Sequence, residues 1–193
     1  MTEREKWDQG VAAVRKEYAL LSPSLKTHLK ECAASVKSCK QTLYLVGERV
    51  RAAGICAQCR GECCKSGKNH VTTVELLVYL GEGKKIFTPA FEQGICPYLG
   101  EKGCIMEPEY RPFNCITFIC ERIEGLLGPL ERERLYAVER ELRDLYDDFE
   151  QLFDNSFRYG LLRDYERSLA CNGAPILRGA ALWKADDPKH ESS

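Results

Sequence analysis

Apolar residues recur at alternating spacings of four and three along three stretches of the chain, the seam of helices that pack side by side. The first stretch is Trp7, Val11, Val14, Tyr18 and Leu21. Ser22 and Pro23 interrupt it and suit the N-cap and first position of a new helix. The second is Leu25, Leu29, Cys32, Val36, Cys39, Leu43, Val46, Val50 and Ala53, with Gly54 placed as a helix stop. The third follows Gly128-Pro129 through Leu135, Val138, Leu142, Leu145, Phe149 and Leu152. It continues over Phe157, Leu161, Leu162 and Tyr165 with a bend at Gly160.

Lengths suggest a pairing. A helix over residues 25–53 would extend roughly 44 Å at about 1.5 Å per residue, and one over 129–157 about as far. The second runs into a cysteine-rich segment and the third runs out of it, so the two are expected to lie antiparallel. The expected fold is mainly α: an antiparallel three-helix bundle with an irregular, cysteine-rich, metal-stapled cap. The chain of 193 residues is read as one domain. Residues 1–53 form N-terminal helices, 54–121 the cap, 122–171 a long C-terminal helix and 172–193 a tail, disordered from Lys184.

Residues 54–121 hold eight of the eleven cysteines, eight of the fifteen glycines and four of the eight prolines, a composition that shifts the burden of folding from burial to staples. One short helix is expected there, from Thr72 to about Leu80. Thr72 and Glu75 have capping-box spacing, which assigns Glu75 to a cap and not to acid catalysis. Gly81-Glu82-Gly83 follows that helix and reads as its C-terminal stop.

Charge narrows the function by exclusion. Acidic and basic residues nearly cancel to a formal −1, which favours neither nucleic acid nor an anionic membrane surface as partner. The polar start Met1-Thr2-Glu3-Arg4-Glu5-Lys6 has no signal-peptide core, and no apolar run is long enough to span a membrane. A cytoplasmic location is expected, and there cysteines at close spacing point to metal or redox chemistry instead of a disulfide framework.

Cys56-Ala-Gln-Cys59-Arg-Gly-Glu-Cys63-Cys64 supplies the first half of the constellation. Two residues between thiolates let a tight turn present both sulfurs to one ion at about 2.3 Å. Side chains of the adjacent Cys63 and Cys64 diverge, so they serve two ions or a multinuclear cluster. Cys96, Cys104, Cys115 and Cys120 supply the second half. Eight thiolates make two four-coordinate sites, or one four-iron cluster with four cysteines over.

The run Cys56-x2-Cys59-x3-Cys63-Cys64, then Ile95-Cys96-Pro97-Tyr98-Leu99, Gly103-Cys104-Ile105, Arg111-Pro112-x2-Cys115 and Phe118-x-Cys120 resembles the YkgJ-type cysteine-cluster family. That family is described as a zinc- or iron-chelating domain, and the resemblance covers residues 55–121. Two positions depart from its pattern: Ile116, where arginine is common, and Met106, where tyrosine is frequent. The resemblance implies metal binding through the eight thiolates. Flagellin lysine N-methylases carry a similar cysteine motif, which implies a redox or protein-modification role. No strand followed by a glycine-rich turn marks a methyl-donor site.

Other residues are weighed against this set. Cys32 and Cys39 fall in step with the second seam and are read as packing residues. Cys171 is read as an ordinary thiol. His70, six residues past Cys64, could replace a cysteine as ligand, but with eight thiolates at hand it is ranked as a loop residue. Arg111, fixed beside Pro112, is assigned a cofactor-binding role, donating to thiolate sulfur. Tyr98, Phe113 and Phe118 are placed to shield a cluster. Zinc and an iron–sulfur cluster both accept four thiolates, so the choice between them stays open. The alternative function is a structural zinc protein whose long helices dock a protein partner.

Overall fold

The computed structural model describes residues 1–59, 67–91, 96–100 and 103–182. It is mainly helical. Four helices carry most of the helical residues described: α1 (Glu3–Ala19), α2 (Pro23–Arg49), α7 (Pro129–Leu152) and α8 (Leu161–Ala170). Between α2 and α7 lie the short helices α3 (Ala52–Gln58), α4 (Thr73–Gly81), α5 (Phe113–Thr117) and α6 (Glu121–Glu124). A minimal hairpin joins β1 (Leu99–Gly100) to β2 (Gly103–Cys104) with Leu99 opposite Cys104. Among the described residues no helix is long and apolar enough to cross a membrane.

The helices start where the sequence places caps. Thr2 accepts from the Glu5 N–H while Glu5 reaches back to the Thr2 N–H, and Ser22 accepts from the Leu25 N–H ahead of Pro23. Helices α2 and α7 pack antiparallel. The side chain of Arg49 meets Glu131 at 3.5 Å, Cys39 faces Glu141 and Cys32 faces Asp148, so numbers fall along one helix as they rise along the other.

Two boundaries differ from the sequence expectation. Helix α2 stops at Arg49, because Arg51 takes a left-handed φ of 54°, and Gly54 lies inside α3 instead of ending α2. The long helix expected over 122–171 is two helices. Asp154 at φ 46° and Gly160 at φ 86° turn the chain after α7, and α8 folds back onto α1. There Leu161 packs on Gly10, Tyr165 donates to Gln9 at 2.6 Å and Lys6 pairs with Glu166.

The cap contains the short helix expected from Thr72 to about Leu80. Helix α4 is its hydrophobic centre: Val74, Leu76, Leu77, Val78 and Tyr79 are all buried, covered by α1 and α2. Val71, Ile86, Tyr98, Met106, Tyr110 and Ile116 join the same core. Burying each such side chain contributes about 1.5–3 kcal/mol, so this segment takes a large share of the apolar burial. A helix apolar on all sides leaves no stripe for a periodicity argument to find. Its capping box forms as the sequence indicates, and it ends in a Schellman turn: the Gly83 N–H donates to Leu80 and the Lys84 N–H to Tyr79, with Gly83 at φ 63°.

Candidate functional site

Several of the cysteine-bearing elements lie beside the C-terminal end of α2. Helix α3 carries Cys56 and is capped by Cys59, whose Sγ lies 3.3 Å from the Cys56 carbonyl. That helix packs on β2, which holds Cys104, and on α6, which begins at Cys120 as its N-cap. Cys96 is buried against Gly67, where an added β-carbon would stand 2.7 Å from its Sγ. Only glycine permits that approach without displacing the thiol. Cys115 sits in α5, the turn that Pro112 opens. Cys63 and Cys64 lie outside the described residues.

Tyr98 ties three of these cysteines together. Its side chain is 1% exposed, and its hydroxyl has no hydrogen-bond partner among the described residues. Burial pushes its acidity far down, and the charges of Cys115, Cys96 and Cys104 act in the same direction. Backbone bonds fix the ring: the Ile105 N–H donates to the Tyr98 carbonyl at 2.8 Å, extending the hairpin, and Phe87 stands edge-on at 5.4 Å.

His70, ranked by its sequence position as a loop residue, meets one of the candidate thiols. The 3-10 turn Gly67–Asn69 precedes it, and its Nδ1 stands 3.2 Å from Cys115 Sγ. Burial lowers its pKa from the ordinary value and favours the neutral ring, while the charge of Glu75 acts in the opposite direction. Its place six residues beyond Cys64 made it a possible replacement ligand, which the eight thiolates at hand outweighed.

A buried polar group adjoins the same region. Lys40 of α2, with none of its surface exposed, donates to Glu75 Oε1 at 3.0 Å. Tyr146 of α7 donates to the same oxygen, while Glu75 Oε2 accepts from the Thr72 N–H and hydroxyl, each at 2.7 Å. Glu75 is thus the cap that the sequence indicates and also the anion that neutralises a buried lysine, which spacing could not show. Tyr146 lies near Cys115 as well, since that thiol's charge helps raise its pKa well above the ordinary value after burial and Glu75.

The Nε of Arg111 donates to the Met106 carbonyl at 3.2 Å, and its guanidinium lies over the Tyr44 ring at 5.4 Å. Those contacts fix the loop ahead of α5. Phe113 packs edge-on against Tyr146 at 5.1 Å, whereas Phe118 is 61% exposed and shields nothing. Cys32 and Cys39 lie along α2 as seam residues. Burial first, then nearby carboxylates, pushes the Cys32 thiol up to about 11 and Cys39 up to about 12. Cys171 is exposed at the end of α8.

Among the described residues no three of His, Cys, Asp and Glu stand close enough to hold one ion. Among the described residues the arrangement therefore consists of α3, β2 and α6 packed together with their cysteines, the His70–Cys115 contact and the buried hydroxyl of Tyr98. No family model, curated protein or solved structure matches the chain.

Proposed function

We propose that the chain is a metal-binding cysteine-cluster protein that holds zinc or an iron–sulfur cluster through the thiolates of Cys56, Cys59, Cys63, Cys64, Cys96, Cys104, Cys115 and Cys120. The observation that carries this reading is the Tyr98 hydroxyl, buried and without a hydrogen-bond partner among the described residues, in a region where the charges of Cys115, Cys96 and Cys104 bear on it. A buried donor left unmet costs about 1–3 kcal/mol, and a neutral thiol is a poor acceptor. A metal-bound thiolate is a strong one, so the orphaned hydroxyl fits a loaded site. The resemblance of residues 55–121 to the YkgJ-type family supports the same reading.

A bound group would supply structural staples if zinc, or an electron-transfer centre if iron–sulfur. The chain's own contributions are positional. Gly67 admits Cys96, Tyr98 offers a hydrogen bond to sulfur, and α4 with the Lys40–Glu75–Tyr146 group gives the turns a rigid floor. A redox or protein-modifying activity and a protein-docking role for the long helices both belong to this proposal as its extensions.

Anaerobic purification followed by metal analysis and a visible spectrum tests it. Iron with acid-labile sulfide and broad visible absorption indicates a cluster; a colourless protein with near-stoichiometric zinc indicates staples. In either case Tyr98→Phe lowers metal affinity without unfolding the helices, roughly 10- to 100-fold for loss of an outer hydrogen bond. A folded protein that carries neither metal, and whose cap thiols all titrate freely, rejects the proposal.

A further inference from the structure

We infer that His70 is itself a metal ligand, binding through Nδ1 the ion that Cys115 holds, so that the site is of mixed imidazole and thiolate character and takes a zinc-class divalent ion. This rests on the metal-binding reading above and departs from the all-cysteine ligand set that the sequence suggests.

Distance is the first argument. Two donors on one tetrahedral ion, with metal–sulfur near 2.3 Å and metal–nitrogen near 2.05 Å, stand about 3.5 Å apart. The His70 Nδ1 to Cys115 Sγ separation is 3.2 Å, close enough that a few tenths of an ångström of opening admits the ion.

The second argument is how the turn is held. The His70 N–H donates to the Gly67 carbonyl at 2.9 Å, closing the 3-10 turn. Gly67 presses onto Cys96 at one end of that turn, and His70 meets Cys115 at the other. One rigid turn thus sets the imidazole relative to two candidate thiolates. Cys96 and Cys115 also lie close enough to Tyr98 for their charges to bear on its unpartnered hydroxyl. The hydroxyl, 1% exposed, is an independent sign that a charged sulfur belongs there.

The third argument concerns Nε2. A metal-bound histidine keeps its proton on the other nitrogen, so coordination through Nδ1 fixes a single tautomer with Nε2–H. A hydrogen bond from Nδ1–H to Cys115 needs the opposite tautomer. The two arrangements have the same heavy-atom geometry and different proton positions, which makes them separable by experiment.

The full-length protein, purified without oxygen and stripped of metal, is titrated with Co2+ and competed with Zn2+. Long-range proton–nitrogen NMR on the zinc-loaded wild type reads the tautomer without any substitution. Coordination predicts a metal-shifted Nδ1 and a protonated Nε2 on His70. His70→Ala is expected to weaken Co2+ and Zn2+ by more than the roughly 10- to 100-fold that an outer hydrogen-bond partner is worth. His70→Cys is expected to restore binding and strengthen the thiolate-to-cobalt charge-transfer band. A loaded wild type with Nδ1–H on His70, or a His70→Ala protein with unchanged cobalt affinity and spectrum, overturns the inference alone. A wild type that takes up neither ion overturns it together with the metal-binding reading.

Discussion

Gly160 and Asn69 meet backbone to backbone: a β-carbon on Gly160 would stand 2.1 Å from the Asn69 carbonyl oxygen. One residue on from Gly160 and two on from Asn69, the chains are stitched as well, with the Leu161 N–H donating to the Val71 carbonyl at 2.8 Å. The start of α8 is thereby clamped onto the turn that carries His70.

Gly160→Ala should therefore do more than strain a loop. Its φ of 86° disfavours any β-carbon, at about 1–3 kcal/mol, and the carbonyl clash adds to that. A loss above about 2 kcal/mol is expected in urea unfolding, with metal affinity falling in parallel because the His70 turn must shift. A stability loss with unchanged metal affinity would uncouple the clamp from the site.

Lys40→Met should destabilise the fold by about 3–5 kcal/mol, since it strands Glu75 as a buried, unneutralised carboxylate. Adding Glu75→Gln should recover most of that loss, because glutamine can still accept from the Thr72 N–H and from Tyr146. Denaturant melts of the single and double variants give the coupling directly. Additive losses would mean that the two residues act independently.

Asp164 gives a pH test. It is buried between Thr73, whose hydroxyl donates at 2.7 Å, and Arg167 at 2.5 Å, yet burial outweighs both and raises its pKa from 3.8 to about 6. Over that interval the folded state holds a proton that the unfolded state has released, so stability falls as pH rises from about 4 to about 6. Roughly two units correspond to about 3 kcal/mol. Asp164→Asn should flatten this part of the stability profile, measured as the difference between wild type and variant in thermal or urea unfolding. An unaltered slope would show that Asp164 ionises in the fold as it does in the open chain.

Thiol labelling separates seam from surface. At pH 8 Cys39, pushed up to about 12, is thiolate in only about one molecule in ten thousand. Cys171 should react first with iodoacetamide, and Cys39 only when the protein unfolds, as read by peptide mass spectrometry. Equal rates for the two would remove Cys39 from the interface of α2 and α7.

What could be read in the sequence depended on periodicity. Caps at Thr2, Ser22 and Thr72 and the pairing of α2 with α7 rest on local chemistry and a one-sided stripe, and both survive in the three-dimensional arrangement. The central place of α4 did not, because Val74 through Tyr79 are covered on every side and leave no polar face for contrast. The break at Arg51 was hidden for another reason: an arginine in a left-handed conformation carries no compositional mark. At the site, cysteine spacing gave the candidate ligands, and Cys63 and Cys64 among them lie outside the described residues. His70 and Tyr98 were harder to weigh because their meaning comes from neighbours distant in sequence, Cys115 for the first and three thiols for the second.

The pairing of α1 with α8 has a consequence for how the protein is made. Synthesis delivers α1 and α2 first, yet the partners that cover them are α4, α7 and, last of all, α8. A nascent chain that has not yet reached Leu161 carries the α8-facing side of α1 uncovered, including Gly10. Final closure thus waits until the C-terminal helix has left the ribosome, and truncations within α8 should accumulate as chaperone-bound or aggregated chains instead of shortened native protein.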